Sequence, residues 1–133
     1  MSDIDFPERM KQLVDFKNLH FGEEGNKRPT DIDICFELQN KVFIFVEIKK
    51  TGVPFETGQR LVYERLCNFL MVPSIALLAR HDTPLPEPVD AASCSVESFW
   101  KRGFSDWKKP LVPINVREAM DRFLDTVGIE LKK

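Results

Sequence analysis

Four residues in the stretch PTDIDICFELQNKVFIFVEIKK have the types and spacing for chemistry: Asp31 and Asp33 before its first apolar run, Glu47 and Lys49 at the end of its second. Side chains alternate between the faces of a strand, so Glu47 and Lys49 share one face, and Asp31 and Asp33 share one face. A loop of Gln39, Asn40 and Lys41 pairs Leu38 with Val42, setting Asp33 opposite Glu47 and Asp31 opposite Lys49; a two-residue loop instead sends the acids to opposite faces. In the three-residue register two carboxylates converge beside one ammonium. Carboxylates so placed suit a hard cation, Mg²⁺ or Mn²⁺, held with waters and substrate phosphate. Such a cation polarises a phosphodiester and acidifies its water, while a neighbouring lysine orients or deprotonates that water. On spacing alone, a cross-strand salt-bridge cluster explains the same residues.

The elements that must position these side chains are legible in the hydrophobic pattern. DIDICFEL alternates through Ile32, Ile34, Phe36 and Leu38, and VFIFVEIKK is apolar enough for a central strand covered on both faces. Gln39 and Asn40 close the hairpin between them. Before it, FPERMKQLVDFKNLHFG predicts a short amphipathic helix behind Pro7 with Met10, Leu13 and Val14 inward, followed by the loop EEGNKRP. After it, the loop TGVPFETG leads to a helix through Leu61, Val62, Leu66, Phe69 and Leu70, ended by Pro73. SIALLAR reads as a buried strand and HDTPLPEPVD as a surface connection. Phe99, Trp100, Phe104 and Trp107 predict short strands or a hairpin, their rings core rather than a base-stacking platform. The segment PINVREAMDRFLDTVG predicts a helix capped by Asn115 and stopped by Gly128, with Val116, Ala119, Met120, Phe123 and Leu124 inward.

Bulk properties narrow the field. The chain has 133 residues, 43% hydrophobic and 30% charged. That is the composition of one soluble domain, spanning 1–133. A domain near this size buries roughly 68–70% of its unfolded surface, enough for a core without staples. No apolar run approaches the roughly 18 residues of a membrane span, and MSDIDFPERMK lacks the apolar stretch of a signal peptide, so a cytoplasmic protein is expected. Cys35, Cys67 and Cys94 are odd in number and lack CxxC spacing; they read as buried or half-buried thiols, neither disulfides nor zinc ligands. His20 and His81 have no partners at metal-ligand spacing. A net charge of −2 excludes bulk electrostatic coating of nucleic acid and leaves local cations, Lys50, Lys101 and Arg102 first among them, with Lys108 and Lys109 nearby.

Asp33, a turn, and an apolar strand ending Glu47-Ile48-Lys49 resemble the PD-(D/E)xK nuclease superfamily, which includes restriction endonucleases, Holliday-junction resolvases and RecB-like exonucleases. Gln59 and Tyr63, in the following helix GQRLVYERL, match the QxxxY motif of the RecB-like branch and share a helical face at i and i+4. The order of elements is similar over roughly residues 8–80. The resemblance implies an α/β (α+β) restriction-endonuclease-like core: a helix, an antiparallel meander within a mixed sheet, a second helix and a further strand. It also implies Mg²⁺- or Mn²⁺-dependent hydrolysis of nucleic acid, DNA ahead of RNA, and leaves room for a homodimer. On that pattern the catalytic residues are Asp33, Glu47, Lys49 and Gln59; the metal ligands are Asp33, Glu47 and Glu8 from the first helix, with Glu23 and Glu24 as substitutes for Glu8. Asp31 stands in reserve for Asp33, and Tyr63 is either an addition to the site or a core aromatic. Two other functions compete: an inactive binding or regulatory module on the same scaffold, and an interaction protein whose acids form salt bridges.

Overall fold

The computed structural model describes residue 18 and residues 32–131, of which 32–131 lie in one compact unit. The expected N-terminal helix, Glu8, His20, Glu23, Glu24 and Asp31 lie outside the described residues.

The fold is α+β. Strands β1 (Ile34–Leu38), β2 (Val42–Lys50), β3 (Ser74–His81) and β4 (Ser95–Lys101) form one mixed sheet in the order β1-β2-β3-β4, with helices α1 (Thr57–Phe69) and α2 (Val116–Thr126) packed against it. β1 and β2 are antiparallel, β2 and β3 parallel through α1, and β3 and β4 antiparallel. Of the expected meander, the described residues contain the β1–β2 pair.

The hairpin takes the three-residue alternative. Gln39 and Asn40 adopt positive φ of 56° and 57°. The Lys41 N–H donates to the Leu38 carbonyl at 3.0 Å, and Leu38 pairs with Val42. Two consecutive left-handed residues supply the twist that joins antiparallel strands. That register fixes which residues of β2 share a face. Val42, Ile44 and Val46 face α2, with Ile75, Leu77 and Ala79 of β3 and Val116, Phe123 and Leu124 of the helix. Phe43 and Phe45 face α1, packing with Tyr63, Cys67, Ala76 and Trp100. Both faces of β2 are therefore covered, as its near-continuous apolar run predicts.

The inward stripe of α1 differs from the expected one. Tyr63 and Cys67 are buried, whereas Leu61 is 37% and Phe69 78% exposed. With about 3.6 residues per turn, Leu61 projects nearly opposite the 59–63–67 row that meets the sheet, and Phe69 well to one side of it. The helix is fastened to β4 and to the segment after it by two indoles: Trp100 of β4 donates to Asn68 Oδ1 at 3.2 Å and Trp107 to Glu64 Oε2 at 2.9 Å. Those aromatics are core, and β4 continues into a return in which Phe99 and Lys108 exchange backbone hydrogen bonds. Helix α2 has the expected cap at Asn115, and the structure extends it to a capping box in which Glu118 reaches back to the Asn115 N–H. Gly128 follows it at a φ of 75°. That left-handed conformation ends the helix as the sequence predicts.

Cys35 corrects the expectation for the cysteines: it is exposed, because among the described residues β1 is the edge strand of the sheet and none of them covers its outward face there. Cys67 and Cys94 are buried, and burial pushes the Cys67 thiol up to about 11, far from a reactive thiolate.

Candidate active site

The α1 face of the sheet changes character toward the C-terminal ends of β2 and β3. Phe43 and Phe45 are followed on that face by Glu47, which is 2% exposed despite its charge. The strand cannot avoid this: the alternation that sends Val46 and Ile48 toward the aliphatic core sends Glu47 toward α1. There Gln59 Nε2 donates to Glu47 Oε1 at 3.1 Å, so the i, i+4 pair Gln59 and Tyr63 lies over the acid.

Asp33 stands one residue beyond the last β1–β2 ladder pair, Ile34 with Val46, and so falls opposite Glu47. Its backbone has left the ladder, and its side chain takes over: Asp33 Oδ2 accepts the Ile48 N–H at 2.9 Å. The carboxylate thereby pins the end of β2 while remaining beside Glu47. Lys49, half-buried, follows Glu47 on the same face; among the described residues it makes no ion pair, and its expected cross-strand partner Asp31 lies outside them.

The electrostatics follow from this crowding. Burial first, then the neighbouring Asp33 carboxylate, pushes Glu47 up to about 7, with Lys49 and Tyr63 pulling the other way. Repulsion between carboxylates alone predicts that one acid titrates high; desolvation is the larger cause. Burial and the two carboxylates push the Tyr63 phenol up as well. Three buried atoms in this one place, Glu47 Oε2, Gln59 Oε1 and the Tyr63 hydroxyl, complete no hydrogen bond among the described residues. A buried polar atom without a partner costs about 1–3 kcal/mol in a folded protein, so three together leave room for a further polar partner.

The chemistry of that donor set fits a hard cation. Mg²⁺ is commonly held by one or two carboxylates, its remaining positions going to water and phosphate. Here two carboxylates meet, with an unpartnered oxygen on the buried one. Among the described residues no cluster of three or more His, Cys, Asp or Glu could hold a metal; Glu8, Glu23, Glu24 and Asp31 lie outside them.

The remaining candidates are distributed unevenly. Lys50 ends β2 and is exposed, next to the acids in sequence. Lys101 pairs with Ile75 and Arg102 follows it, whereas Lys49 pairs with Arg80. Five residues of strand, about 17 Å, separate those rows. The Lys101 ammonium also lies over the Phe123 ring on the α2 face, so the structure does not bring it to the acids. His81 Nδ1 accepts the Thr83 N–H at 3.1 Å, a local turn contact.

Sequence reasoning missed Arg80. A bulge at Leu78–Ala79 in the β3–β4 ladder accompanies a two-pronged Arg80–Glu97 ion pair at 3.2 and 3.3 Å. Such a bulge re-aims the side chains beside it. The same guanidinium donates to the Lys50 carbonyl at 3.2 Å and to the Val53 carbonyl, tying down the loop that joins Lys49 to the helix bearing Gln59. Gly52, at a φ of 90°, gives that loop its turn. Without a Cβ it adopts that angle at no steric cost. The signal was an arginine closing an apolar strand, as Lys49 nearly closes β2, but only the parallel pairing makes them neighbours.

No family model, curated protein or solved structure matches the chain.

Proposed function

We propose that the chain is a Mg²⁺-dependent nuclease with a restriction-endonuclease-like core of the PD-(D/E)xK type, hydrolysing phosphodiester bonds in nucleic acid, DNA ahead of RNA. The observation that carries the reading is the buried Glu47, held through one oxygen by Gln59, without a hydrogen-bond partner at the other among the described residues, and faced by Asp33 with Lys49 on the same side. Asp33 and Glu47 would hold the cation, with Glu8 as the further ligand implied by the resemblance. When bound, the cation supplies Lewis-acid stabilisation of the phosphate and a more acidic water.

The protein's own residues do the positioning. Gln59 fixes the rotation of the Glu47 carboxylate, so the free Oε2 has one orientation. Lys49 sits where its ammonium can orient the attacking water and oppose the negative charge that grows on the phosphate. Tyr63 closes the floor beneath Glu47 and keeps bulk water from that side. With Glu47 at about 7, a proton competes with the cation for its carboxylate, and activity should rise as pH passes through 7. Lys50 alternates to the face opposite Glu47 and Lys49, so it would meet a flanking phosphate only around the exposed end of β2; Lys101 and Arg102 would meet only a nucleic acid that extends along the sheet.

A second reading, a non-catalytic module on the same scaffold, draws on Asp33: its Oδ2 is already engaged by Ile48, as a purely structural aspartate would be. Incubating the protein with linear, circular and branched nucleic acids in Mn²⁺ or EDTA separates the two. Metal-dependent cleavage lost in Glu47→Gln supports the nuclease. Binding without cleavage supports the module, and neither binding nor stabilisation by Mg²⁺ would leave a salt-bridge cluster.

A further inference from the structure

The opposite face of the sheet carries a second feature, independent of the proposed nuclease site. Between α2, the α2-facing side of β3 and β4, and the chain at 109–114 lies a hollow of about 220 Å³. Its floor is apolar, formed by Leu77, Val96, Phe99 and Phe123 among others, and Leu111, fully exposed, stands at its edge. Its polar lining consists of Lys101, Lys109, Arg122 and Thr126, with no acid among them. The chain carries 21 acidic and 19 basic residues, so three cations without a carboxylate is a local departure from its composition. The ion pairs among the described residues are Arg80–Glu97 and Arg117–Asp121, and neither involves these three. Lys101 already leans inward, its ammonium 5.7 Å from the Phe123 ring centre.

An apolar floor and a cationic rim without an ion-pair partner among the described residues are complementary to an amphipathic anion. We propose that this hollow binds a small amphipathic carboxylate, its apolar body against Phe99 and Phe123 and its head between Lys101, Lys109 and Arg122. The volume falls below the roughly 300–1,000 Å³ of pockets for drug-sized ligands, so the body is a short acyl chain or a single ring. The planar guanidinium of Arg122 can grip a carboxylate through two parallel hydrogen bonds, and the two ammonium groups supply charge.

The test is a titration of the isotope-labelled full chain with octanoate below its micellar concentration, followed by amide resonances. Octanol, inorganic phosphate and a short single-stranded oligonucleotide serve as comparison ligands. Saturable shifts around Ala119, Phe123 and Thr126 are expected with octanoate, and octanol should bind about tenfold more weakly or worse for want of the charged head. Lys109→Gln with Arg122→Gln, both at exposed positions, should weaken octanoate by a similar factor and leave octanol unchanged. The proposal is overturned if octanoate fails to saturate, if octanol matches it, or if phosphate alone reproduces its shifts. It is equally overturned if the oligonucleotide shifts these residues and octanoate does not, since the cations then serve a phosphate backbone.

Discussion

The two faces of the sheet are built from the same strands by the same alternation, and they solve opposite problems. On the α2 face, Val42, Ile44, Val46, Ile75, Leu77 and Ala79 meet Val116, Phe123 and Leu124, a core with no polar side chain to satisfy. On the α1 face the layer is aromatic, and its row ends in a buried acid, with three polar atoms left unpartnered nearby. The aliphatic rows at the centre of the α2 face are saturated with dispersion contacts. A row proposed to receive a cation keeps polar groups in a covered layer and loses stability for it. The contrast points to the row where alternation forces charge into a covered layer as the place to test for the proposed cation site.

That contrast can be broken in order of expected effect. Phe123→Ala opens the aliphatic layer and should cost about 3–5 kcal/mol, read as a lowered denaturation midpoint with the slope unchanged. A cost near zero would mean that α2 does not hold the sheet.

Glu47→Gln should move stability the other way. Glu47 titrates at about 7 in the folded protein against an ordinary 4.5, so the folded state holds the extra proton between those values. Folding stability therefore falls as pH rises from about 4.5 to 7, and the penalty is fully present above 7. Glu47→Gln should abolish that decline and gain on the order of 1–3 kcal/mol at about pH 8, while losing any stabilisation by Mg²⁺. Thermal melts across pH, with and without Mg²⁺, would show it; an unchanged pH profile would mean that Glu47 is not the buried acid responsible. Asp33→Asn is the finer version, because the amide oxygen can still accept the Ile48 N–H while the charge is gone. It should keep metal-free stability and remove the Mg²⁺ effect.

Lys49→Ala should leave the melting temperature close to wild type, since the side chain is half-buried and makes no ion pair among the described residues. Metal-dependent cleavage should fall by tenfold or more, about 1.4 kcal/mol of barrier. Undiminished cleavage by the folded variant would remove Lys49 from the mechanism. The smallest effect belongs again to the stabilising face: Asn115→Ala removes the cap of α2 and should cost about 1 kcal/mol by chemical denaturation, with no change at the acids.

Much of the fold was legible because local rules and burial agreed. The covered run of β2, the buried SIALLAR strand and the capped α2 each follow from pattern, whereas along β1 only Ile34 and Leu38 of the alternating row pack against the core and Phe36 is exposed among the described residues. The apolar residues of α1 do not by themselves mark its inward face: Leu61 and Phe69 turn outward while Gln59 and Tyr63, which share a face at i and i+4, turn to the sheet, where Glu47 and the aromatic layer receive them. Arg80 was invisible for a related reason: its partners, Glu97 and the Lys50 and Val53 carbonyls, come from distant segments.

The sequence by itself determined that Glu47 and Lys49 share a face, since strand alternation is a property of the backbone. It also determined the Asn115 cap and the Gly128 stop of α2, which depend on neighbouring residues alone. Which hairpin register brings Asp33 opposite Glu47 was left between two loops, and only the folded chain chose, through the positive φ of Gln39 and Asn40 and the Leu38–Val42 pair. Only the tertiary structure decided that Glu47 is buried beneath Gln59, that Arg80 clamps the intervening loop, and that Lys101 lies on the other face from the acids. Each of those depends on strand pairing and helix docking, where contacts between residues far apart in the chain outweigh any local preference.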